Sequence, residues 1–171
     1  MRKLILAGAV ALAIAPATAL AAEKAPSAED LAKASCKTQK AELGAKVFKK
    51  THAAKSMSKA MKACMGVTED TAADELKNAA TECKAEREAD ADAFAETYGA
   101  NENGKNAYGK CVSSKAKEAV EEETDAVIAA AKTCKAMKAD DAAAFEATYG
   151  TKKNAFGKCV SAQAKAQDDE S

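Results

Sequence analysis

The chain has 171 residues, with 26 basic and 26 acidic side chains, one histidine, six cysteines and no tryptophan. That length holds one ordinary domain or a short array of repeats and excludes a multidomain enzyme. Charge balance argues against nucleic acid as a partner, because backbone phosphate binding needs a basic surplus. Alanine supplies 46 residues, whereas Leu, Ile, Val and Phe together supply 14 beyond residue 21. So thin an apolar inventory would favour disorder at high net charge. Here the charge is balanced, alanine favours helix and cysteine can staple what a core cannot hold.

Met1-Arg2-Lys3 is a short positive start, followed by an apolar run from Leu4 to Ala15 and the small-x-small triplet Ala19-Leu20-Ala21. Residues 1–21 therefore read as a secretory signal peptide. The apolar run is well short of the roughly 20 residues that a membrane-spanning helix needs, so no transmembrane segment is expected after cleavage. Loss of Arg2 and Lys3 leaves 24 basic and 26 acidic residues. A secreted or periplasmic location follows, and with it the reading of six cysteines as a disulfide framework.

An internal repeat organises the rest. Cys83-Lys84-Ala85 aligns with Cys134-Lys135-Ala136, and Ala93-Phe94 to Tyr98-Gly99 aligns with Ala144-Phe145 to Tyr149-Gly150. After a polar loop, Asn106-Ala107-Tyr108-Gly109-Lys110-Cys111-Val112-Ser113 aligns with Asn154-Ala155-Phe156-Gly157-Lys158-Cys159-Val160-Ser161. A worn copy upstream runs from Cys36 through Phe48 and Thr51 to Cys64, with His52 in the place of Tyr and Met61 in the place of Tyr108 or Phe156. The units are residues 22–68, 69–117 and 118–171, the last with an acidic tail at Asp168-Asp169-Glu170. A spacing near 50 residues suits helical repeats.

The segments read as helices. Ser27-Ala28-Glu29-Asp30 forms a capping-box pattern, and Gly99 and Gly150 sit just past helix ends. Asn106 and Asn154 suit the N-caps that follow. From Asn106 to about Ala139 no proline intervenes, and Val120, Thr124, Val127, Ala131 and Cys134 fall on one stripe. A single helix over this stretch separates Cys111 from Cys134 by about 35 Å, far beyond the roughly 7 Å between alpha carbons that a disulfide tolerates. The expected bridges are thus Cys36–Cys64, Cys83–Cys111 and Cys134–Cys159. Each contributes roughly 3–4 kcal/mol on the chain-entropy model. The predicted fold is all-α: three disulfide-stapled helical hairpin repeats joined by long shared helices, with no sheet. Phe94 with Tyr108, and Phe145 with Phe156, are expected to pack beside the bridges, and Gly109 and Gly157 to mark close backbone approach. Gly66-Val67-Thr68 is expected to loosen the first unit. On this reading the first unit opens first under reductant and the third last.

Thr-Tyr-Gly, a polar loop and Asn-Ala-Phe-Gly-Lys-Cys-Val-Ser resemble the repeat of a family of exported bacterial proteins that carry one or several such units behind a signal peptide. Residues 83–113 and 134–161 match well; residues 36–64 depart at His52 and Met61 and lack the Asn-Ala-aromatic-Gly phrase. The resemblance implies export and a repeat architecture, and it implies no activity.

Catalytic patterns do not emerge. The chain has no Cys-x-x-Cys pair, no Gly-rich phosphate loop and no Gly-x-Ser-x-Gly elbow. Asn101 to Asn106 departs from a calcium loop through Lys105 and the missing terminal Glu. No cofactor is expected, and the protein reads as a non-enzymatic structural or binding protein. Lys105, Lys110, Lys152, Lys153 and Lys158 gather near the loops and suit an anionic cell-envelope polymer or another exported protein. The competing reading is a soft-metal (copper) or thiol-redox protein, because Met57, Met61 and Met65 recur every four residues near His52 and thioethers suit Cu(I).

Overall fold

The computed structural model describes residues 25–99 and 106–168. The signal-peptide reading of residues 1–21, Lys105 and residues 169–171, with most of the acidic tail, lie outside the described residues. Among the described residues all regular structure is helical: α1 (Ala28–Thr51), α2 (Met57–Ala89), α3 (Ala91–Tyr98), α4 (Ala107–Asp140), α5 (Ala142–Tyr149) and α6 (Ala155–Asp168). Disulfides join Cys36 to Cys64, Cys83 to Cys111 and Cys134 to Cys159, with alpha carbons 6.0, 5.9 and 6.0 Å apart. The all-α stapled architecture is as the spacing requires. No helix of the described residues is long and apolar enough to cross a membrane.

Two helices are shared between neighbouring units. The 33-residue α2 carries Cys64 and Cys83, and the 34-residue α4 carries Cys111 and Cys134. The sequence boundaries at residues 68 and 117 therefore fall inside continuous helices. Gly66-Val67-Thr68 does not break α2: a lone interior glycine costs only about 1 kcal/mol, and the Cys36–Cys64 bridge ties this stretch to α1.

Local chemistry sets the helix ends. Ser27 opens α1 with a reciprocal capping box, its hydroxyl accepting from the Asp30 amide while the Asp30 carboxylate accepts from the Ser27 amide, both at 3.2 Å. Asn106 does not cap α4 as the sequence suggests. Its backbone is already helical (φ −106°, ψ −1°), which turns the side chain away from the orphan amides, and it makes no capping bond. Asp90 ends α2 and starts α3, its carboxylate accepting from the amides of Asp92 and Ala93. Asp141 does the same between α4 and α5, accepting from Ala144. The worn unit has a kink at the equivalent point, where Gly44 adopts φ 69°, ψ 160° inside α1. Four residues past each break stands a phenylalanine, Phe48, Phe94 or Phe145, and four further on its ring partner, His52, Tyr98 or Tyr149. The centroids lie 4.6, 4.9 and 5.0 Å apart, so His52 occupies the tyrosine position geometrically as well as in sequence.

Packing brings the units together. α1 lies antiparallel to α2 and, reaching past its own unit, runs parallel to α4: Leu31 joins Ala72, Ala79, Ala116 and Val120, while Leu43 and Val47 reach the core of the third unit. Alanine at these contacts lets the helices approach closely. The first unit is thus docked on the others, contrary to the looser attachment expected from Gly66. The third unit has the largest core, with Phe145, Phe156, Val160 and the Cys134–Cys159 bridge. Around the second bridge the described residues bury Phe94 and Ala107, with Tyr98 and Val112 partly buried. Two expectations fail here. Tyr108 does not pack with Phe94; it is exposed, donates its hydroxyl to the Ala80 carbonyl at 2.9 Å and lies under the Arg87 guanidinium. An added Cβ at Gly109 would meet no atom within 4 Å, whereas one at Gly157 would sit 2.8 Å from the Thr51 carbonyl oxygen. Close approach holds at Gly157 alone of this pair, because the end of α1 at Thr51 abuts α6 there, whereas no atom lies within 4 Å of a Cβ at Gly109.

Candidate functional site

The contact of Gly157 with Thr51 places two loops side by side. One follows α1, where Ala53 takes a left-handed turn (φ 49°) and its amide and that of Ala54 donate back to the carbonyls of Lys50 and Lys49. The other follows α5, released by Gly150 at φ 90°. Between them lies a cleft of about 330 Å³ walled by Lys49, Lys50, Lys55, Lys138, Lys152 and Lys153, with Ala155 and Phe156 in its lining. No carboxylate lines it. Lys138 pairs with Glu146 at 3.8 Å; the other five lysines have no ion pair among the described residues. Clustered like charges of this kind raise the local positive potential far above what a neutral whole implies.

Negative charge collects elsewhere. A groove between α2 and α4 is lined by Glu75, Glu82, Glu118 and Glu122. Lys115 crosses it, with its ammonium 3.0 Å from Glu82 and 2.9 Å from Glu86. Hydrogen bonds to Glu86 and Glu82 raise the Lys115 pKa above the usual lysine range, and the bond from Lys115 lowers that of Glu86.

A second cavity, of about 300 Å³, opens at the junction of α1, α2, α4 and α6 and is lined by Ser35, Gln39, His52, Thr68, Thr124 and Ser161 among others. Four of these form a directed hydrogen-bond chain. Thr124 Oγ1 donates to the Val120 carbonyl at 2.6 Å, so it accepts from Ser35 Oγ at 2.6 Å. Ser35 in turn accepts from Gln39 Nε2 at 3.3 Å, which leaves Gln39 Oε1 to accept from His52 Nε2 at 3.2 Å. Burial pushes the His52 pKa down from 6.5 to about 4, so the imidazole is neutral and its proton sits on Nε2. The chain ties the first unit to α4 across 89 residues of sequence.

The sequence candidates distribute unevenly over these features. Lys152 and Lys153 line the basic cleft; Lys158, exposed on α6, and Lys110, half-buried in the first turn of α4, do not. Lys49, Lys50, Lys55 and Lys138 escape sequence reasoning that looks only near the repeat loops, although Lys49-Lys50 and Lys55 flank a turn visibly. Met57, Met61 and Met65 do share a face, but they pack on Phe48, Ala60 and the Cys36–Cys64 bridge as core filling. His52 stacks on Phe48 and bonds to Gln39. All six cysteines are in disulfides. No family model, curated protein or solved structure matches this chain.

Proposed function

We propose that this is an exported, non-catalytic binding protein that engages an anionic polymer of the cell envelope through the lysine cleft between its first and third units. The observation that carries the reading is the convergence of six lysines from the end of α1, the two loops and α4 on one carboxylate-free cleft, five of them without an ion pair among the described residues. The signal-peptide pattern of residues 1–21 and the three disulfides support export, since such bridges persist in oxidising compartments. The groups that would serve a hydrolytic or thiol mechanism are held in structural roles, His52 in the hydrogen-bond chain and the cysteines in bridges. Co-sedimentation with washed envelope fractions tests the reading. The mature chain is expected to pellet with the envelope and to come off as salt rises, because exposed charges are screened within about 10 Å at 0.1 M ionic strength. A variant carrying Lys50→Glu, Lys55→Glu, Lys152→Glu and Lys153→Glu should stay in the supernatant. Equal pelleting of that variant would sink the proposal.

A further inference from the structure

We infer that the lysine cleft is a composite site for a linear polyanion of closely spaced phosphates, and that it binds only while the first unit is docked on the third. The inference rests on the binding reading above and names its ligand class and its control.

The shape argues for a chain rather than a small anion. A second, more open depression of about 580 Å³ shares Ala53, Thr151, Lys152 and Lys153 with the cleft, so the positive surface continues past it. The donors argue for charge density rather than planar recognition. Every cation lining the cleft is a lysine, a compact point charge that answers to charge density, whereas the fork that reads a carboxylate or a phosphate bidentately belongs to arginine. Arg87 is committed elsewhere, over the Tyr108 ring.

The docking argument rests on Gly157. Lys49, Lys50 and Lys55 belong to the first unit and the other three lysines to the third, with none from the second. Their mutual repulsion opposes the docking that creates the cleft, and a polyanion relieves it. Binding and docking are then linked, each strengthening the other by the same factor. The seat that permits docking is one atom deep, since a Cβ at residue 157 would lie 2.8 Å from the Thr51 carbonyl oxygen. Leu43 and Val47 of α1 supply the apolar part of the same contact.

The test uses the oxidised mature chain, titrated at low salt with orthophosphate, with inorganic polyphosphate of increasing length and with polyglutamate. Long polyphosphate is expected to bind at least about tenfold more tightly than orthophosphate, since successive phosphates engage intramolecularly. It should also slow amide exchange in residues 49–54 and 155–158 together. Lys152→Glu with Lys153→Glu should abolish both effects. Gly157→Ala, with all six lysines intact, should lose affinity by about tenfold, within the usual range of couplings. If Gly157→Ala does not fold, Leu43→Ala tests the same docking. Charge reversal that abolishes binding while the folded docking variants bind normally would overturn the composite site and leave the binding reading standing. Charge reversal without effect would overturn both. Polyglutamate binding as tightly as polyphosphate would overturn the phosphate class. A salt-sensitive dimer formed without any polyanion would assign the cleft to a second copy of the chain and overturn the proposal.

Discussion

Gly109 and Gly157 hold the same place in consecutive repeats, yet the structure gives them opposite roles. Replacing a helical glycine by alanine gains roughly 0.5–1 kcal/mol from chain entropy. At Gly109, where nothing lies within 4 Å, that gain should appear in full as a higher denaturant midpoint. At Gly157 the methyl meets a backbone carbonyl at 2.8 Å, and overpacking costs typically about 1–3 kcal/mol, so the net change should be destabilising by about 1 kcal/mol. Finding the same sign at both positions would refute the packing described. His52 sets the second prediction. Its folded pKa of about 4 lies below the ordinary 6.5, so the fold binds the neutral form. The stability it contributes is present above about pH 6.5 and lost as pH falls towards 4. The loss should be on the order of 2 kcal/mol, allowing for solvent screening of a half-buried ring. His52→Tyr, which installs the residue of the other two units, should flatten urea midpoints across that window. The tyrosine equivalence of His52 was legible in the repeat alignment. The exposure of Tyr108 was not, because the i,i+4 ring pair on one short helix competes for the same phenylalanine.

At the scale of elements, the architecture turns on residues that end one helix and start another. Asp90 is a C-cap and an N-cap at once, extended at φ −153°, ψ 99°, with its carboxylate on two amides. Asp90→Ala should cost about 1 kcal/mol, as loss of a side-chain N-cap does. It should also raise amide exchange through α3 before α2 and α4 respond. Protection of α3 equal to that of the parent would show that Phe94 burial, not the cap, fixes the break. The long shared helices and their bridges were readable from the absence of proline and the cysteine spacing. The short helices α3 and α5 were not separated from the hairpins, although Asp-Ala-Asp-Ala at 90–93 and Asp140-Asp141 carried the capping signal. The kink at Gly44 was hidden by one extra residue between Cys36 and the break. What survived the wear is the interval from break to phenylalanine, four residues in all three units.

Over the whole molecule the first unit is an integrator rather than an appendage. Through Leu31, Leu43 and Val47, α1 joins the cores of the first and third units and the alanine contact between α2 and α4. That revises the order of opening expected from residue types alone. The second unit, whose bridge has fewer apolar side chains packed around it than the other two among the described residues, should be the first to lose protection under graded reductant. The third, with Phe145, Phe156 and Val160 buried, should be the last. Hydrogen exchange resolved by peptide checks this, and opening of residues 28–65 ahead of residues 83–111 would contradict it. Complete reduction should remove most of the cooperative melt, because each bridge is worth roughly 3–4 kcal/mol against a net stability of about 5–15 kcal/mol for a domain. Long-range docking of this kind leaves no periodic trace in the sequence. It depends on alanine, which signals helix everywhere and contact nowhere in particular. The basic cleft was half visible for the same reason, its lysines being ordinary surface residues until α1 is laid against α6.

The same three bridges also fix how the molecule answers a pull. They close chain segments with sequence separations of 28, 28 and 25 residues, and these follow one another without overlap. Tension applied between residues 25 and 168 passes from sulfur to sulfur and bypasses each enclosed hairpin. Each closed segment withholds about 90–100 Å of contour at roughly 3.6 Å per residue. What remains free to lengthen is chiefly the middle of α2 and of α4, between one bridge and the next. An oxidised chain tethered by its ends would give only as those two helix stretches and the chain ends unwind, and the same chain after reduction would pay out the three enclosed segments as well.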